Sequence, residues 1–205
     1  MVTTLYLIRH GATEGQEEKR YKGSIDVPIS GTGLAQIKRT GEFIRAALGG
    51  PSLAAVYSSP LSRALRSAEI LAAPFGLQPI VVSELRERHF GVWEGMTLTE
   101  ISKKYPDEFR AWAANPLEHS PMGGESTLQV RDRLLPVYEE IVSRHPGENI
   151  VIAGHGGVNR IVLCHVLGMP LEHIFRIEQD NAAVNIIAFY DKFPVVRLLN
   201  GGTVG

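Results

Sequence analysis

Cysteine is almost missing. Cys164 is the single one in 205 residues, which excludes an internal disulfide and a thiolate-rich zinc site. Long hydrophobic runs are missing too: no apolar stretch could span a bilayer, and the N-terminus opens directly into a strand without a basic leader. These features lead us to expect a cytoplasmic protein without a membrane partner. An excess of one charge sign is the third lack. Lys+Arg total 21 against 22 Asp+Glu, so no global basic field argues for a nucleic-acid partner. Any bound anion must be held by a local cluster of cations. No repeat, low-complexity tract or Pro/Ser-rich linker divides the chain, and its length fits one domain over 1–205.

What the chain does have is strands alternating with helices. Leu5-Tyr6-Leu7-Ile8 reads as a buried strand that stops at Arg9-His10-Gly11. Residues 11–30 read as a long functional loop. Ser30 looks like an N-cap for a helix with Leu34, Ile37, Phe43, Ile44 and Leu48 inward, closed by Gly49-Gly50. Residues 53–57 form a short strand, followed by a helix with Pro60 near its first position. Ile80-Val81-Val82 is another strand. Thr97 to Ala114 reads as short helices broken at Pro106, a cap-like insertion over about 97–125. Ser126 and Gln129 make a capping box before a long helix that Pro136 must kink or that must accommodate it. Asn149 to Gly154 is a buried strand leading through His155 into a helix, and two further strands fall near 183–189 and 195–199. This alternation implies an α/β fold, a three-layer αβα sandwich with a mostly parallel, mixed central sheet. Edge strands near the C-terminus could pair two copies into a homodimer, although no residue there requires it.

Two strands end alike, in Arg9-His10-Gly11 and in His155-Gly156-Gly157. In an open α/β sheet, ligands bind outside the carboxyl ends of the strands. If the two strands are parallel neighbours, both imidazoles emerge at one mouth, and Gly11 lets the backbone approach whatever binds there. Either histidine alone reads better as structural; the paired setting reverses that. His89, His119, His145, His165 and His173 lack it and read as surface or packing residues. Arg63 lies near the start of a helix whose first turn should face the same crevice, where free N–H groups and a guanidinium fork suit phosphate oxygens. Arg66, a turn later, reads as solvated. Glu87 follows a strand in a loop with Phe90 and Trp93, a shielded setting that suits a proton donor. Glu94 is the rival carboxylate, or else a structural one fixing that loop.

Arg9-His10-Gly11-x-Thr13, Ser59-Pro60-Leu61-Ser62-Arg63-Ala64, Leu85-x-Glu87-x-x-Phe90-Gly91-x-Trp93-Glu94-Gly95 and Gly154-His155-Gly156-Gly157 occur in one order along the chain. Together they resemble the histidine phosphatase superfamily, its phosphoglycerate mutase-like branch. Arg20-x-x-Gly23-x-x-Asp26-x-Pro28 and Gly33 fit the same pattern, whereas Gln16 stands where many members carry asparagine. The resemblance implies that His10 is the nucleophile and becomes a phosphohistidine. It implies that Arg9, Arg63 and His155 hold the phosphoryl oxygens, aided by Thr13 or Gln16, by Gly23 of the loop and by the Gly156 N–H. Glu87 would protonate the leaving oxygen and then deprotonate water. Fixed arginines can stabilise such a transfer without a metal or cofactor. His10 must attack as neutral imidazole, so activity should decline in acid.

The resemblance leaves phosphatase and mutase to be separated. Mutases of this family carry a basic insertion after the acid loop; Thr97 to Gly124 offers Lys103, Lys104 and Arg110 without an adjacent arginine pair. Met122-Gly123-Gly124-Glu125-Ser126 resembles the shorter phosphatases. The expectation is therefore a phosphomonoesterase acting on a small phosphate ester such as α-ribazole 5′-phosphate or phosphoserine. The alternatives are a 2,3-bisphosphoglycerate-dependent mutase and a silent phosphate-binding protein. Tyr21, Lys22, Phe109, Trp112 and Met122 are candidates for choosing the substrate, or equally for packing the cap. A zinc site on His10 and His155 is disfavoured by Arg9 and Arg63. A dinucleotide fingerprint fails at Asn159.

Overall fold

A computed structural model describes residues 1–16, 18–49 and 53–202. Six strands form one sheet in the order β3-β2-β4-β1-β5-β6: β1 (Thr3–Arg9), β2 (Ala55–Ser58), β3 (Ile80–Val81), β4 (Asn149–Gly154), β5 (Val184–Phe189) and β6 (Pro194–Gly201). The pairs β1–β4, β4–β2 and β2–β3 are parallel, while β1–β5 and β5–β6 are antiparallel. The sheet is mixed, as the late strand pair without an intervening helix implies.

Side chains alternate across β1, and so assign the two layers. Leu5 and Leu7 pack with Leu134 and Tyr138 of α5 (Thr127–Ser143) and Ile161 of α6 (Gly156–Leu167). Tyr6 and Ile8 pack on the other face with Ile37 of α1 (Gly31–Leu48) and Leu71 of α2 (Ser62–Ala72). Sheet strands buried on both faces account for their nearly continuous apolar runs.

Helix boundaries follow the local chemistry. Ser30 Oγ accepts from Gly33 N at 3.1 Å and caps α1, and Gly49 in the left-handed region (φ 64°) closes it. Gly50 lies outside the described residues. The inward face of α1 is Gly33, Ile37, Thr40 and Ile44; Phe43 is exposed, and Leu34 and Leu48 are only partly covered. The expected stripe was displaced because two inward positions are not apolar. Thr40 spends its hydroxyl on the Ala182 carbonyl, at 2.8 Å. Gly33 abuts the backbone of Ala12, whose carbonyl oxygen would lie 2.1 Å from an added Cβ.

Helix α2 begins at Ser62, two residues later than Pro60 suggested, and Leu61 gives it no side-chain cap. The Asp26 carboxylate supplies that cap from the long loop, accepting from Ser62 N and Oγ at 2.8 and 2.7 Å. The 97–125 stretch contains α3 (Leu98–Lys104) and α4 (Pro106–Ala114), with Pro106 opening α4. Ser126 and Gln129 form the capping box of α5, which runs through Pro136 unbroken. Pro136 is exposed, so the carbonyl freed of its partner one turn back lies on the wet side of the helix.

Candidate active site

Strands β1 and β4 are paired with Arg9 opposite Gly154, so the residues that follow leave the sheet together. His10 N continues the ladder onto Gly154 O at 3.0 Å. The two imidazoles end up with ring centroids 5.2 Å apart at an interplanar angle of 63°. His10 is 7% exposed and His155 is fully buried. That placement follows from register alone: parallel neighbours of matched length deliver consecutive residues to one point.

The hydrogen bonds of His10 fix its tautomer. Nδ1 lies 2.7 Å from the Gly11 carbonyl oxygen, which can only accept. Nδ1 therefore carries the proton, and Nε2 keeps the lone pair that a nucleophile needs. Burial, with Arg9 and Arg63 close by, pushes the imidazole well below its usual range. The same burial, with His10 and the two arginines, lowers His155. His10 is thus neutral at neutral pH. The expected decline of activity in acid then belongs below the ordinary imidazole range. His155 Nε2 sits 2.8 Å from Ser59 Oγ. When Ser59 donates there, Nδ1 carries the hydrogen; it has no partner among the described residues and suits an anionic oxygen.

Both arginines are pinned by main chain. Arg9 NH1 donates to Gln179 O at 2.5 Å, and its buried Nε has no protein partner among the described residues. Arg63, 2% exposed, donates from NH1 to Ile25 O at 2.8 Å and from NH2 to Gly23 O at 2.7 Å. Burial lowers the pKa of each guanidinium. Neither guanidinium forms an ion pair with a carboxylate among the described residues; such a charge is costly to bury, and an oxyanion is the natural counter-charge. Arg66 instead pairs with Glu69 in solvent, as read from the sequence.

The loop residues are placed less directly. Thr13 Oγ1 receives Lys22 Nζ, a contact that brings a third cation to the mouth. Gln16 Oε1 accepts from Thr13 N at 3.0 Å, and its amide donates to Asn181 Oδ1. Asn181 in turn donates to His10 O at 3.3 Å. Gly23, in the left-handed region (φ 49°), serves through its carbonyl as the seat of Arg63. Glu94 fixes this loop, accepting from Ser24 N, Ser24 Oγ and Phe90 N, and an added Cβ on Gly23 would lie 2.3 Å from it. That bonding gives Glu94 the structural role. A Cβ on Gly11 would strike Gly33 O at 2.4 Å. Its smallness admits the start of α1.

Glu87 lies near enough to both arginines to act on their charge. Its Oε1 accepts from Arg88 N at 2.9 Å and its Oε2 from Gly157 N at 3.1 Å, at the start of α6. Backbone N–H groups meet these oxygens, where the sequence had suggested aromatic shielding. The aromatics build an adjoining layer: Trp112 lies edge-on to Trp93 at 5.8 Å, and Tyr21 to Phe90 at 4.8 Å. Met122 is 63% exposed. Of the other histidines, His145 joins Tyr57 and Glu148, and His165 faces Glu139. Sequence reasoning missed Ser59, Gln179 and Asn181, whose roles depend on contacts between segments far apart in the chain.

Comparison with known proteins places this geometry. The family model of the histidine phosphatase superfamily (branch 1) matches residues 5–201. Phosphoserine phosphatase 1 of Hydrogenobacter thermophilus is 32% identical over 96% of this chain and 91% of its own length. The metal-independent phosphoserine phosphatase of Arabidopsis thaliana is 36% identical, over 93% and 78%. The crystal structure of the α-ribazole phosphatase from Shigella flexneri superposes with a TM-score of 0.87 at 26% identity, covering 98% of each chain.

Proposed function

The chain belongs to the histidine phosphatase superfamily and is a phosphomonoesterase, and from that premise we propose that it hydrolyses a small phosphorylated metabolite through a phosphohistidine on His10. His10 Nε2 attacks phosphorus, the P–N bond forms as the ester P–O bond breaks, and Glu87 gives its proton to the departing oxygen. Water then loses a proton to Glu87 and attacks the phosphohistidine, releasing inorganic phosphate and neutral His10. Arg9, Arg63 and His155 hold the three spectator oxygens, with Thr13, Gln16, Gly23 and the Gly156 N–H bordering them. The observation that carries this reading is the imidazole pair, 5.2 Å apart, with two backbone-pinned guanidiniums at the same site, that of Arg63 buried.

Relatives named phosphoserine phosphatase and α-ribazole phosphatase support phosphoserine and α-ribazole 5′-phosphate as the first substrates to test. A relative named metal-independent supports catalysis without a metal, and chelation then leaves the rate unchanged. Lys103 and Lys104 lie exposed on α3, which favours hydrolysis over a mutase clamp. A phosphate-release panel including phosphoserine, α-ribazole phosphate and 3-phosphoglycerate tests the reading. We expect one non-glycolytic ester to lead by kcat/KM. Interconversion of phosphoglycerates outpacing phosphate release, in the presence of bisphosphate primer, would replace hydrolase with mutase.

A further inference from the structure

Gly157 occupies the second position of α6, where nothing in the backbone calls for glycine: its φ is not among the positive ones. Glycine in a helix is destabilising relative to alanine, so its presence there needs another cause. The cause lies across the site. A Cβ on Gly157 would fall 2.6 Å from Glu87 Oε1, 3.3 Å from its Cδ and 3.5 Å from Oε2. At neighbouring Gly156, a Cβ would meet Arg9 only at ordinary contact distance, 3.5 Å or more. Glu87 thus rests in the space that the missing methyl leaves, with the Gly157 N–H on Oε2 and the Arg88 N–H on Oε1.

We propose that Gly157 is a positioning residue for the acid: its bare Cα and its N–H together seat the Glu87 carboxyl against the start of α6 and aim it at the leaving oxygen. This rests on the reading of Glu87 as proton donor. The atom that a methyl would strike is the end of a flexible side chain, not backbone. Gly157→Ala should therefore keep the fold and turn Glu87 away from its seat. Such a variant loses proton donation while the nucleophile and arginines remain in place.

Leaving-group dependence reads this directly. Phenyl phosphate needs protonation of the departing oxygen, whereas 2,4-dinitrophenolate leaves with little help. We expect G157A to lose roughly tenfold to a hundredfold in kcat/KM on phenyl phosphate, within the range of a general acid, and far less on 2,4-dinitrophenyl phosphate. E87Q should steepen the same series, and E87Q/G157A should be no steeper than E87Q alone. A G157A series parallel to wild type, whether lowered or not, overturns the positioning role. An E87Q series no steeper than wild type overturns the assignment of Glu87 itself. Should G157A fail to fold, E87A/G157A removes the group that the methyl strikes and should fold; its failure to do so also overturns the inference.

Discussion

The sheet edge that carries His10 and His155 and the helical stretch from α3 through α4 are built from opposite materials. At the edge, His155, Arg63 and Ser59 are 0–2% exposed; Arg63 is tied to the Ile25 and Gly23 carbonyls, and His155 Nε2 to Ser59 Oγ. In α4, the Arg110–Asp107 pair is 71% and 89% exposed, a solvent pair of the kind that contributes little to stability. One region is fixed by ladders and buried bonds. The other holds on through an aromatic layer in which Trp112 touches Trp93, Phe109 and Phe175. We propose that the contrast separates two tasks: placing a phosphoryl group demands rigidity, while choosing what is attached to it tolerates a loosely tied surface.

Substitutions should break the two regions differently. His10→Ala removes the nucleophile, so kcat/KM for p-nitrophenyl phosphate should fall on the order of 10⁴-fold; a rate near wild type would dissolve the division of labour. Arg63→Lys keeps the charge but loses the fork that spans Gly23 O and Ile25 O. A loss of roughly tenfold to a hundredfold should follow, and an unchanged rate would make Arg63 a structural residue only. At the edge, stability should also depend on pH. His10 and His155 titrate below their ordinary range in the folded protein, so the unfolded chain binds protons first as pH falls. Stability is full above about pH 6.5 and declines below it, by up to about 1.4 kcal/mol per pH unit for each imidazole. Urea midpoints across that window check this, and His155→Ala should flatten the slope. The smallest effect belongs to Trp112→Ala, which should reorder substrates while changing p-nitrophenyl phosphate turnover only a few-fold. If it abolished all turnover, the aromatic layer would belong with the rigid edge.

The edge was the more legible region in the sequence, for a physical reason. Apolar runs ending in Arg9-His10 and in His155 mark strand ends, and parallel pairing converts equal endings into proximity. Arg63 was visible as a cation near a helix start, and Ser30 and Ser126 as caps, because these signals are local. What stayed hidden required contacts between distant segments. The close approach of Gly33 to Gly11, which demands a residue without Cβ there, joins positions 22 apart and leaves no local mark. Phe43 looked inward because apolarity was the only guide, while Thr40 and Gly33 earned burial through a hydrogen bond and a backbone approach. Glu94 and Glu87 were indistinguishable as letters, and their bonding partners, Ser24 and Gly157, divide their roles.

Rapid-quench labelling with a ³²P-labelled phosphomonoester tests the central assignment most directly. A base-stable, acid-labile phosphoryl adduct that peptide mapping puts on His10, formed and consumed at rates compatible with turnover and missing in His10→Ala, is the predicted result. Label on any other side chain, or full turnover with no adduct in the first milliseconds under conditions that slow dephosphorylation, would contradict it.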